Sequence, residues 1–302
     1  MKRKLIALTL AAAMLAALAG CGPADPDDQP DPSSDIQESL PPFNPNGMVL
    51  VDQNLVRITI DEYREQENGD VELELDVENT SDRDLRISAA SCAVNGYMTS
   101  VFADCQVAAG ETAYSVGLII YMGDLIELGL TDVADVALRF SLDGADGSHR
   151  LVDAARITTP LASLYDYDAS LLQKALGDPE WISTGGYQLL LAANEDLYDQ
   201  DGVCLLTACV LADRYGTRQL RLELSHSGLD QAVVSLGDVA VNGVTLDPGN
   251  LARYAVASRK RCLVNISLDY LVDENDPQVD LSQLREVSLS VNDTPVTISI
   301  PS

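Results

Sequence analysis

Basic residues are scarce in this chain: 19 Lys and Arg stand against 47 Asp and Glu, a formal charge of −28. A field of that sign repels nucleic acid and anionic lipid headgroups, so neither is an expected partner of the folded surface. Histidine is scarcer still. Only His149 and His226 occur, which leaves few groups able to exchange protons near neutrality. Both are read as exposed polar residues, His149 at a hairpin tip and His226 just after a strand. No H-E-x-x-H helix, G-x-S-x-G elbow, phosphate loop or dinucleotide glycine pattern is present. Beyond the first few residues the lysines are Lys174 and Lys260 alone, and neither follows a serine at the penicillin-binding spacing. These absences argue against an enzyme. Long apolar runs are missing too, apart from one at the N-terminus, so no later stretch is able to cross a bilayer as a helix.

That one run, Leu5 to Leu18, is interrupted by a hydroxyl only at Thr9, and Lys2, Arg3 and Lys4 precede it. A basic start, a short apolar centre and small residues at the cut describe a secretory signal peptide over 1–21. Roughly 20 apolar residues would be needed for a permanent span. Leu18-Ala19-Gly20-Cys21 resembles the bacterial lipobox. The resemblance implies that Cys21 becomes the first mature residue and carries lipid, palmitate among the acyl chains, on its sulfur and amine. Several chains on one residue meet the two-signal requirement for stable anchoring. The expected location is extracytoplasmic, tethered to the cell membrane. Without the three leader cations the balance is 16 basic to 47 acidic residues, or −31.

Residues 22–47 form a spacer with Pro23, Pro26, Pro30, Pro32, Pro41, Pro42 and Pro45, six acidic residues and no cation. Proline keeps such a segment extended and like charges keep it open, so it is read as a disordered tether.

The rest is a duplication. Asp52-Gln53-Asn54-Leu55-Val56 recurs as Asp199-Gln200-Asp201-Gly202-Val203, and Ala93-Val94-Asn95-Gly96 as Ala240-Val241-Asn242-Gly243, both 147 positions on. Leu73, Leu75 and Ile87 fall on Leu220, Leu222 and Val234 at the same offset. Two separated motifs sharing one period point to two copies of a domain, at 48–160 and 186–302. Within each copy the apolar period is two, as in Val71-Glu72-Leu73-Glu74-Leu75-Asp76-Val77 and Val287-Ser288-Leu289-Ser290-Val291, the pattern of half-buried strands. Asn95-Gly96 and Asn242-Gly243 suit tight hairpins because both residue types accept positive φ. Short strands and frequent turns predict an all-β fold of two tandem immunoglobulin-like β-sandwiches. Asp124-Leu125-Ile126-Glu127-Leu128-Gly129 predicts one helical turn in the first copy.

Residues 161–185 form a connector with the chain's one helical pattern, around Ala169–Gly177, capped at Asp168 or Ser170 and stopped before Pro179. Tyr165, Tyr167 and Trp181, the only tryptophan, make it the most aromatic neighbourhood. Aromatic residues are enriched where partners bind, so these three are the candidate contact residues.

Setting Cys21 aside, Cys92, Cys105, Cys204, Cys209 and Cys262 remain. Cys92 and Cys105 flank a turn and could bridge; the preferred reading is small buried hydrophobes. Cys204 and Cys209, five apart in a strand, are expected on opposite faces. Their spacings are not those of a metal site, and no cofactor is expected. Oxygen donors in the loops at 143–147, 199–202 and 273–276 make calcium conceivable but not favoured. Arg259-Lys260-Arg261 is read as capping a hairpin, with a contact to the acidic sister domain as the alternative.

Val49-Leu50-Val51-Asp52-Gln53-Asn54, Glu78-Asn79-Thr80-Ser81-Asp82-Arg83-Asp84-Leu85, Asn95-Gly96 and Gly123–Val133 together resemble lipoproteins of low-GC Gram-positive bacteria that carry tandem immunoglobulin-like modules. The second copy departs from the pattern where Asp273-Glu274-Asn275-Asp276-Pro277 stands in place of the helical turn. No activity is assigned to that group, so the resemblance bears on fold and location. The function expected is non-enzymatic, a binding or spacer module for an envelope protein or glycan. A carboxylate-based hydrolase of envelope glycan is the alternative.

Overall fold

The computed structural model describes residues 43–53, 55–193, 197–272 and 279–299, which fall in one compact unit spanning 42–302. The leader, Cys21, most of the tether and the acidic loop at 273–278 lie outside the described residues. The fold is all-β. Its strands form because β-branched and leucine side chains alternate with charged ones, so that one face of each ribbon can be buried and the other solvated.

The first half runs β1 (Val49–Gln53), β2 (Val56–Glu65), β3 (Val71–Asn79), β4 (Leu85–Val94), β5 (Tyr97–Thr99), β6 (Val101–Phe102), β7 (Asp104–Val107) and β8 (Thr112–Ile120). The helical turn α1 (Gly123–Glu127) follows, then β9 (Asp135–Gly144), β10 (His149–Asp153) and β11 (Ile157–Thr158). One layer has the order β1-β2-β3-β8-β6 and the facing layer β10-β9-β4-β5, the two-sheet arrangement of an immunoglobulin-type sandwich. A 3-10 turn at Pro160–Ser163, α2 (Leu171–Gly177) and α3 (Pro179–Thr184) connect to the second half.

The second half contains β12 (Gln188–Ala193), β13 (Tyr198–Gln200), β14 (Val203–Ala212), β15 (Arg218–His226), β16 (Ala232–Val241) and β17 (Val244–Val256). It closes with β18 (Arg261–Ser267), the turn α4 (Leu268–Leu271), β19 (Glu286–Val291) and β20 (Thr294–Ser299). Its layers are β12-β14-β15-β18 and β17-β16-β19-β20. Both bounds of β2, β3 and β4 recur as those of β14, β15 and β16 at an offset of 147.

The halves share a sheet. β5 pairs in parallel with β18, Tyr97 opposite Arg261, which joins the second layer of the first half to the first layer of the second half. The connector helix α2 buries Leu171, Leu172 and Ala175 in the first core, together with Cys209 and Leu211 of β14. Ala208 and Val210, on the other face of β14, belong to the second core. This strand is therefore buried on both sides. Each fully buried leucine at this junction contributes on the order of 1.5–3 kcal/mol.

Two local expectations change, and the preferred reading of the cysteines as packing groups holds for the buried ones. Cys204 and Cys209 lie on the same face, opposite Ser225 and Arg221 of β15, because a bulge between Leu205 and Thr207 adds a residue and reverses the alternation. Cys105 pairs with Ile87, five positions along β4 from Cys92, and no disulfide links the five described cysteines. Burial pushes the Cys92 and Cys209 thiols up to about 12 and that of Cys262 to about 11, so these are apolar packing groups. The second half also has a helical turn, α4, directly after β18, as α1 follows β8.

Candidate functional site

The segments that meet between the two halves hold a buried polar network centred on Glu223. Glu223 of β15 is fully buried. Its Oε1 accepts from the Tyr97 hydroxyl at 2.9 Å and from Arg261 Nη1 at 2.9 Å. Its Oε2 accepts from the Ser170 hydroxyl at 2.6 Å and the Leu172 backbone N–H at 3.1 Å. Arg261 also donates to the carbonyls of Ala169 and Asp168, at 2.7 and 2.8 Å. Ser170 caps α2 by accepting the Gln173 N–H at 3.0 Å. Burial, followed by the Glu223 charge, keeps the Tyr97 hydroxyl protonated well above its ordinary range. One carboxylate thus ties together the first half, the connector and the second half. Of the Arg259-Lys260-Arg261 run, Arg261 makes the contact to the sister domain.

A second cluster lies beside it. Arg221 of β15, only 5% exposed, donates to the Glu127 carboxylate of α1 and to Gln219 Oε1 at 3.1 Å. Its guanidinium lies 5.0 Å from the centre of the Tyr187 ring. The Tyr187 hydroxyl donates to the same Glu127 carboxylate, and Trp181 stacks on Tyr187 at 5.4 Å while its indole N–H donates to the Glu127 carbonyl.

Trp181 also borders a groove of about 340 Å³. One wall is the chain leaving α1, Leu128 to Asp132, where Gly129 at φ +86° turns the backbone and the Leu130 N–H reaches the Leu125 carbonyl at 3.0 Å. Leu161, Leu164 and Tyr165 form a second side, and Leu171, Lys174, Ala175, Asp178 and Trp181 a third. Tyr165 and Trp181 therefore share one cavity. Tyr167 does not line it. Its ring packs edge-on against Tyr165 at 4.9 Å, with Arg156 5.4 Å from its centre. Arg156 is held at 2.5 Å by the fully buried Asp135. The carboxylates of the lining have structural duties. Asp178 Oδ1 accepts the Glu180 N–H at 2.8 Å as the cap of α3, and Asp132 accepts from Thr131 at 3.0 Å.

The histidines resolve differently from each other. His149 Nδ1 is 2.7 Å from Asp143 Oδ1 and 3.3 Å from Ser141 Oγ. Serine, histidine and aspartate are thus adjacent, yet both partners address the same ring nitrogen, whereas a nucleophilic triad places the serine at the opposite one. His226, expected at the surface, is buried. Its Nδ1 and Nε2 face the carbonyls of Gly202 and Asp230, at 3.1 and 2.6 Å. At 147 positions earlier, buried Asn79 donates to the carbonyl of Arg83 at 2.8 Å. His226 does in the second copy what Asn79 does in the first: it holds the turn that follows the strand.

In the 143–147 loop Asp146 is engaged by Arg83 and Asp143 by His149. Among the described residues no cluster of three His, Cys, Asp or Glu suited to a metal ion is found, and no helix is long and apolar enough to cross a membrane.

No protein-family model matches the chain, and no curated protein matches it. Among solved structures, red sea bream transglutaminase is similar at 9% identity and TM-score 0.21, over 83% of this chain and 32% of that one. The exo-β-D-glucosaminidase CsxA and the exo-chitosanase CsxA of Amycolatopsis orientalis are each similar at 12% identity and TM-score 0.21, over 82% of this chain and 26% of theirs. The chain spans about a quarter to a third of the length of these proteins.

Proposed function

We propose that this protein is a lipid-anchored envelope lipoprotein whose paired β-sandwiches present a binding surface to a protein or glycan partner, without catalysis of their own. Acyl chains on Cys21 hold it to the outer face of the cell membrane, and the acidic, proline-rich segment spaces the sandwiches from it. The observation that carries the binding reading is the groove rimmed by Tyr165 and Trp181 where the connector packs on the first half. Pockets with an apolar lining and a few polar groups are where ligands and partner side chains seat. The anchoring is tested by labelling cells with radioactive palmitate. Cys21→Ala is expected to lose the label and leave the membrane fraction; a variant that keeps both refutes the anchor.

A second reading has its own observation. Asp132 and Asp178 line the same groove, and two carboxylates across a cleft are the equipment of a glycan hydrolase. Against it, Asp178 is the N-cap of α3 and accepts the Glu180 backbone N–H at 2.8 Å, so its carboxylate is already engaged in holding the helix. Turnover of a wall glycan that disappears in both Asp132→Asn and Asp178→Asn would decide for the hydrolase.

A further inference from the structure

On the reading of the junction as a contact surface, we infer that its occupant is a cationic segment of a protein partner, which inserts a bulky apolar side chain into the groove. The interior decides the anchor. Leu128, Leu130, Leu161, Leu164 and Leu171 line the groove with aliphatic surface, and Leu164 stays 61% exposed. A sugar seated there would surrender the water on its hydroxyls to a wall with few acceptors. A leucine or phenylalanine side chain loses nothing of the kind, and about 340 Å³ accommodates an anchor residue rather than a large cofactor.

The rim decides the charge. Asp132 and Asp178 line it, and Asp166, Asp168 and Glu180 are exposed on the segments that carry Tyr165, Ser170 and Trp181. Lys174 is the rim's own cation. The nearby arginines are spoken for: Arg221 by Glu127, Arg261 by Glu223 and Arg156 by Asp135. An apolar slot within an acidic rim selects lysine or arginine around the anchor, and such a rim acts mainly on encounter rate and salt dependence.

The test uses the only tryptophan, Trp181, as its own reporter. The full-length protein is titrated with a short peptide carrying Leu-Phe between lysines, with its twin bearing Glu for Lys, and with a lysine peptide bearing Ser-Ser at the centre. The first is expected to shift the Trp181 emission and to bind at least tenfold more tightly than either twin at low salt, with that margin shrinking as salt is raised. Leu164→Ala should weaken it several-fold, and Asp132→Asn should flatten its salt dependence. Equal binding of the Glu twin or the Ser-Ser peptide overturns the inference, and if Leu164→Ala still weakens that binding the groove remains a contact surface. No emission change with any of the three overturns both.

Discussion

Glu223 is buried to the last atom and has four donors around it, from Tyr97, Ser170, Leu172 and Arg261. A carboxylate removed from water is tolerated only when its lone pairs are met this completely, and removing it strands the partner charge. Glu223→Ala should therefore lower the unfolding free energy by about 3–5 kcal/mol in urea titration. Glu223→Gln, which keeps the shape and two acceptor sites, should cost clearly less; equal losses would mean that packing rather than charge matters there. Asp143 is the opposite case. It is only half-buried, and the hydrogen bond from His149 holds its carboxyl below the ordinary value of 3.8. A depressed acid stabilises the fold above its unfolded value, and that contribution fades as pH falls through the lower, folded one. In His149→Ala the Asp143 carboxyl should titrate back near its ordinary value in an NMR pH series, with little change in neutral-pH stability, because exposed pairs contribute little. A carboxyl that titrates unchanged would remove the assigned cause.

The repeated Asn-Gly turns illustrate how one short element can be legible in sequence for one reason and retained for another. Asn95 and Asn242 take φ of 49° and 50°, with Gly96 and Gly243 at 86° and 80°, the positive-φ pair that a tight hairpin needs. The side chains do more. Asn95 Oδ1 accepts from the N–H groups of Ala134 and Asp135 while its amide donates to the Asp132 carbonyl. Asn242 does the same with Arg285, Glu286 and the Gln283 carbonyl. Each asparagine clamps the start of the strand that follows the long crossover. Replacing Asn95 by Gly preserves the turn but leaves those backbone groups unmet, at about 1–3 kcal/mol; Asn95→Ala should cost about 1 kcal/mol more, for its φ. Thermal melts of the two variants separate the contributions, and a Gly variant as stable as the parent would deny the clamp. The strands of both halves could be read because alternation is a local signal. The β14 bulge could not, since nothing in Cys204–Cys209 marks an extra residue. The role of His226 was within reach: the 147-residue offset places it on Asn79, and a side chain standing where an amide ties a turn is a structural substitute before it is a catalyst.

At the scale of the whole molecule, local pattern stops being informative, because the junction is built from residues far apart in sequence. Tyr97 gave no hint of Glu223, nor Glu127 of Arg221, and a single parallel bridge between β5 and β18 leaves no period behind. The aromatic content of the connector marked a neighbourhood that holds a groove, yet it could not separate Tyr165 and Trp181, which line the groove, from Tyr167, which packs against Tyr165. Domains in tandem usually move and melt independently unless their interface is large and apolar. Here Cys209 and Leu211 of the second half are in the first core, and losing the first half would bare them together with Arg221 and Glu223. Separate unfolding of either half would therefore uncover apolar surface and leave buried charges without partners. Both penalties oppose a populated half-folded state. Calorimetry of the parent protein should show one transition whose calorimetric and van't Hoff enthalpies agree, and the double variant Glu127→Ala with Glu223→Ala should split it into two. Two transitions in the parent would mean that the shared sheet is a contact of convenience, and that the Glu127 and Glu223 clusters do not couple the halves.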